Sequence, residues 1–179
     1  MMSSRIAARY AKSLLSFAQE NSAVEDVYRD MSDLLEANSG SVELQQMLKS
    51  PIISSDKKIA VLGQVLKGAH EACNSFISLI MDKRREEHLP AIASQFIQLY
   101  DKEKGIARAT VYSAIPLGDK VMDQLRKYLA TLLSSENIEL NNVIDSSVIG
   151  GMVVRYGDKL LDMSVSRELK EMRKHLVYN

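Results

Sequence analysis

The spacing of apolar residues changes at Gly105, and that change constrains the fold more than any other feature of the chain. Before it, apolar residues recur every three or four positions, as the 3.6-residue helical turn requires; beyond it, they alternate, as a pleated strand requires. Ile6, Ala7, Tyr10, Ala11, Leu14, Leu15 and Ala18 fall on one helical stripe, which Phe17 widens. Ser22 followed by Glu25 predicts a capping box for a second helix carrying Val24, Val27, Tyr28, Met31, Leu34 and Leu35. Asn38-Ser39-Gly40 is expected to end it in a left-handed turn. A short helix follows near 42–48, and Pro51 places a loop after it. Ser54 or Ser55 is positioned to cap a fourth helix with Ile59, Leu62, Val65 and Leu66, ended by Gly68. A fifth holds Cys73, Phe76, Ile77, Leu79, Ile80 and Met81; a sixth holds Leu89, Ile92, Ala93, Phe96, Ile97 and Tyr100. Between them the mixed-sign run "DKRREEH" reads as a solvated helix end.

Beyond Gly105, "ARATVYSAI" is β-branched and alternating, so a strand is expected. Pro116-Leu117-Gly118-Asp119 turns into a helix with Val121, Met122, Leu125, Leu129, Leu132 and Leu133, and "IELNNVID" reads as a second strand. Two more strands, near 150–155 and 159–163, meet at Gly157-Asp158, and a last helix spans about 166–176. The expected fold is mainly α: an N-terminal six-helix bundle over 1–105, then a small C-terminal α+β domain over 106–179.

Composition narrows the function. Basic and acidic residues balance at 23 each, whereas a chain that neutralised phosphates would carry a basic surplus. One cysteine, Cys73, permits no internal disulfide and suits a reducing compartment. No apolar run reaches the roughly 18 residues of a membrane span. Arg5, Arg9 and Lys12 precede the first acid, Glu20, as in a transit peptide, but the pattern runs on into helices without a cleavage-like break. A cytosolic chain is the expectation.

The glycines of "GGMVVRYGDKLLDMSVSREL" raise the question of a phosphate cradle. Gly151 and Gly157 lack P-loop spacing, and Lys159 has no adjacent hydroxyl. A Rossmann turn would open a helix, whereas the residues after Gly157 are strand-like, so a hairpin turn is the better reading. His70, His88 and His175 are far apart, and no His-x-x-x-His or Cys-x-x-Cys pair exists. Cys73 shares a face with Phe76, Ile77 and Ile80, as a core thiol would. No catalytic, metal or cofactor residue emerges. What remains is docking: Ala7, Ala8, Ala11 and Ala18 give the first helix a small-residue stripe, which either packs within the bundle or leaves a groove for a partner helix.

Two stretches carry a family resemblance: "ARYAKSLLSFAQE" at the start, and "IGGMVVRYGDKLLDMSVSRELKEM" near the end. The chain resembles the delta subunit of bacterial F-type ATP synthases, whose mitochondrial counterpart is the oligomycin-sensitivity-conferring protein. "KSPIIS" and "ATVYSAIPL" fall where that family has its Pro loop and its domain-crossing strand. Ser13 and Tyr156 depart from the family's usual alanine and aliphatic residue. The resemblance implies a non-catalytic stator connector, one copy per complex, without cofactor or nucleotide. It would be peripheral to the cytoplasmic face of the inner membrane and couple proton-driven rotation to ATP synthesis. Its N-terminal bundle would bind the N-terminal helix of an α subunit between helices one and five. Carried over, that groove falls on Tyr10, Ala11, Leu14, Phe17, Phe76, Leu79 and Ile80. The C-terminal domain would bind the b subunits of the peripheral stalk, with Gly150, Gly151, Gly157, Asp158, Asp162 and Ser164 as its structural signature. An elastic link near Gly105 would suit such a connector. The alternatives are a small enzyme with an unrecognised site in the second domain, or an unrelated helical adaptor.

Overall fold

The computed structural model describes residues 2–133, 135, 137–157 and 159–178, with side chains between 5 and 174. Asp158 of the expected signature lies outside the described residues. The chain divides into two compact units, Met1–Tyr100 and Asp101–Asn179.

The first unit is helical. It contains α1 (Met2–Glu20), α2 (Val24–Gly40), α3 (Val42–Lys49), α4 (Ser55–Val65), α5 (Glu71–Asp82), a 3-10 turn at Glu86–His88, and most of α6 (Leu89–Lys104). Its core joins Ala7, Ala11, Leu14 and Ala18 of α1 to Val27, Met31 and Leu34 of α2, and to Phe76, Ile77, Ile80, Ile92 and Phe96. The alanines let α2 and α5 approach α1 closely, where larger side chains would hold them off. Tyr28 and Tyr100 stack with centroids 4.2 Å apart, and the Tyr100 hydroxyl donates to the Glu25 carboxylate, fastening α6 to α2.

Helix ends differ from expectation in three places. No capping box forms at Ser22 and Glu25, and Ala23 takes the N-cap position of α2 without a side-chain bond. Ser22 instead ends α1: at φ 53° it lets its own N–H reach Gln19 O (3.1 Å) and the Ala23 N–H reach Ala18 O (2.9 Å), a Schellman closure. Gly40 is the last residue of α2, followed by an extended Ser41, and takes no left-handed conformation. Ser54 occupies the N-cap of α4 but gives no side-chain bond, whereas the Ser41 hydroxyl caps α3 by accepting from the Leu44 N–H at 3.1 Å.

The run at 82–88 is only partly solvated. Lys58 of α4 is buried, and its ammonium donates to Glu86 Oε1 at 2.6 Å and to Leu48 O at 3.3 Å. One carboxylate in a charged stretch is thereby committed to the interior, a pairing that periodicity could not reveal.

The second unit is a four-stranded sheet with the order β2-β1-β3-β4, built from β1 (Ile106–Ser113), β2 (Asn137–Ile144), β3 (Gly151–Tyr156) and β4 (Lys159–Ser164). Two helices complete it: α7 (Asp119–Leu133) crosses from β1 to the parallel β2, and α8 (Val165–Tyr178) follows β4. β3 runs antiparallel to β1 and β4. Ala107, Ala109 and Val111 face Leu125 and Leu129 of α7 in the core. The last turn of α6 belongs with this unit, since Asp101 accepts from Arg108 Nε of β1 at 2.7 Å.

Tyr156 stands opposite Lys159, so the chain reverses between β3 and β4, with Gly157 at φ 53°. Gly151 is irreplaceable for a steric reason: at φ 75°, an added Cβ would lie 2.3 Å from Met163 O. The Asp162 carboxylate accepts from the Ser164 N–H (2.9 Å), and the Ser164 hydroxyl accepts from the Arg167 N–H (3.2 Å), which caps α8.

Candidate functional site

Among the described residues, two exposed apolar surfaces stand out, one in each unit. The first is the seam between α1 and α5. Tyr10 meets Phe76 edge-on, with ring centroids 6.4 Å apart. Phe17, two turns along α1 from Tyr10, is 40% exposed, and Leu79, one turn along α5 from Phe76, is 45% exposed. Tyr10 is half-buried and Phe76 retains 6%. Ala11, Leu14 and Ile80 have no accessible surface. Their expected role as groove lining is therefore corrected, as is that of Phe76: they are core, and they hold Tyr10, Phe17 and Leu79 in place from beneath. The same 3.6-residue stripe contains both kinds of residue, so spacing could not separate its buried centre from its bare flank.

The second surface lies in the sheet unit. A single helix is about 10 Å across, whereas four strands at about 4.8 Å spacing are wider. α7 accordingly buries Val154 of β3 but leaves the flank of the sheet toward β4 only partly covered. Two hollows of about 340 and 190 Å³ follow one another along α7. Val121, Tyr128, Met152 and Met163 line the first; Leu132, Val154, Leu160 and Leu161 line the second. Tyr128 and Leu132 are 50% and 56% exposed. On α8, Val165, Leu169 and Met172 form a further bare stripe. The sequence reading missed this trough. Its signal was the width of the α7 stripe, which exceeds what one helix-on-sheet contact can bury.

Titratable groups inside the first unit serve its packing. The Asp30 carboxylate accepts from the His70 N–H at 2.9 Å, tying α2 to the start of α5, where His70 Nδ1 caps by accepting from the Ala72 N–H at 3.2 Å. Burial raises the Asp30 carboxyl above its ordinary value, despite hydrogen bonds from the His70 N–H and the Cys73 thiol. Burial, reinforced by the adjacent Asp30, pushes the Cys73 thiol up to about 12. A thiol so held is protonated and no nucleophile. A polar cavity of about 520 Å³ lies beside Lys58 and Glu86, lined also by Ser54, Ser55 and Asp56. Among the described residues, no three His, Cys, Asp or Glu side chains gather as a metal site would require, and no helix is long and apolar enough to cross a membrane.

Such a chain has a helical bundle, then a four-stranded sheet with two helices, and exposed apolar surface on both units. The family model described as ATP synthase delta (OSCP) subunit matches residues 6–176. The chain belongs to that family.

Curated relatives bear it out over nine-tenths or more of their length. ATP synthase subunit delta of Beijerinckia indica is 35% identical over 170 residues, covering 94% of this chain and 90% of the relative. That of Shouchella clausii is 33% identical over 179 residues (99% and 98%), and that of Lactobacillus johnsonii is 30% identical over 174 residues (97% and 96%). The fold also matches a chain in the cryo-EM structure of the Toxoplasma gondii mitochondrial ATP synthase hexamer, with a TM-score of 0.74 at 21% identity, covering 96% of this chain and 97% of that one. The β3–β4 hairpin, with Gly151, Gly157, Asp162 and Ser164, lies in the unit that carries the trough.

Proposed function

We propose that this delta-family subunit is a stator connector, joining the catalytic head of an F-type ATP synthase to its peripheral stalk so that rotation is coupled to ATP synthesis. The observation that carries the reading is the pair of bare apolar surfaces on separate units. The α1/α5 seam, through Tyr10, Phe17 and Leu79 over the edge of Phe76, takes the N-terminal helix of an α subunit. The α7 trough, with the bare stripe of α8, takes the end of the b subunits. Neither role requires chemistry: the subunit is non-catalytic, needs no cofactor, and is peripheral to the membrane through its complex, at one copy per complex. A connector under torque gains from two attachments, because each raises the effective concentration of the other.

The test is affinity purification of the tagged chain from its own cells, followed by quantitative mass spectrometry. Recovery with α and b subunits at one copy per complex is expected. Recovery of the intact enzyme without this chain, or of this chain with neither subunit, overturns the reading.

A further inference from the structure

We propose that the helix accepted by the α1/α5 seam is acidic along its rim, its carboxylates held by Arg9, Lys83 and Arg85. The inference rests on the reading of that seam as a docking site, and adds the chemistry of its occupant.

The cations are placed by local geometry. Arg84 takes a left-handed φ of 52°, and the bonds from the Arg84 N–H to Met81 O (2.9 Å) and from the Arg85 N–H to Ile80 O (3.1 Å) close α5 in a Schellman turn. This reversal swings Arg85 back over α1, where its guanidinium carbon lies 5.6 Å from the centroid of the Tyr10 ring. Tyr10 is thus contacted by Arg85 and, edge-on, by Phe76. Lys83 lies two turns from Phe76 on the same flank of α5, and Arg9 borders Tyr10 on α1; both are exposed.

None of these three cations has a carboxylate partner among the described residues. Nearby acids are few. Residues 1–19 contain none, Glu86 is committed to Lys58, Glu87 lies beside His88, and Asp82 alone remains on this end of α5. A balanced chain therefore concentrates positive charge at the Tyr10 end of an apolar patch. A guanidinium already stacked on an aromatic ring is pre-oriented and loses little freedom when its N–H donors meet a carboxylate. An occupant with a basic rim would set like charges together, so the rim selects as well as attracts.

Two synthetic helical peptides test this, sharing one apolar stripe but carrying glutamate or lysine at the flanking positions. Each is titrated into the full chain by fluorescence anisotropy. The glutamate peptide is expected to bind about tenfold tighter at low salt, with the gap shrinking at about 0.5 M salt. Arg85→Gln and Arg9→Gln should each narrow the gap, and Arg9, being exposed, can be changed without disturbing the Tyr10 stack. Equal binding of both peptides overturns the acidic rim and leaves the docking seam standing. Failure of both peptides to bind overturns the seam itself.

Discussion

Lys58 is a fully buried charge in the first unit. A buried ammonium is tolerable only because Glu86 and the Leu48 carbonyl accept its hydrogen bonds. The Glu86 side chain is 14% exposed. Burial alone would raise its carboxyl, but the Lys58 hydrogen bond, the Glu86 N–H and the charges of Lys58 and Arg84 outweigh it, so the group titrates below its ordinary value of 4.5. A depressed folded value contributes stability that is complete above the unfolded value and is lost as pH falls through the folded one. Glu86→Gln should therefore cost about 3 kcal/mol at neutral pH in urea unfolding, and its deficit should shrink below about pH 4.5. A deficit that stayed constant down to acid pH would show that the cost does not arise from the charge of the pair. Cys73 gives a second residue-scale expectation. With its thiol pushed up to about 12 by burial and Asp30, it should resist aromatic disulfide reagents at pH 8 in the folded chain and react fully in denaturant.

At the scale of elements, helix and strand type were legible because each face is repeated over many residues. The ends were less so, because a cap depends on one or two dihedral angles. Ser22 and Glu25 match a capping pattern, yet the Schellman closure of α1 uses Ser22 first and leaves nothing for α2. The hairpin glycines were read as a turn on spacing alone, but only the register shows why Gly151 is fixed: it passes against the Met163 carbonyl. Gly151→Ala should lower stability by about 2–3 kcal/mol, through both strain and contact. Ser22→Gly should raise it by about 0.5–1 kcal/mol, since it relieves a left-handed non-glycine residue without removing any bond. Thermal melts read both, and an unstabilised Ser22→Gly would mean that the turn is not populated as described.

For the whole molecule, the consequence is separability. A bundle core built on α1 and a sheet core built under α7 share no residue, so damage to one bare surface should leave the other working. Leu79 and Leu132 are both exposed, at 45% and 56%, so a charge at either position meets water rather than the core. Under the connector reading, Leu79→Asp abolishes binding of the α N-terminal peptide in calorimetry while helicity stays intact, and binding of b is retained. Leu132→Asp does the reverse. Each single variant should still associate with the complex through its remaining attachment, more weakly than the natural chain, because two tethered sites of moderate affinity exceed either alone by about 100-fold or more. The double variant should fall off altogether. If Leu79→Asp weakened both partners equally, the two surfaces would form one site, and a connector with independent ends would be the wrong description of this chain.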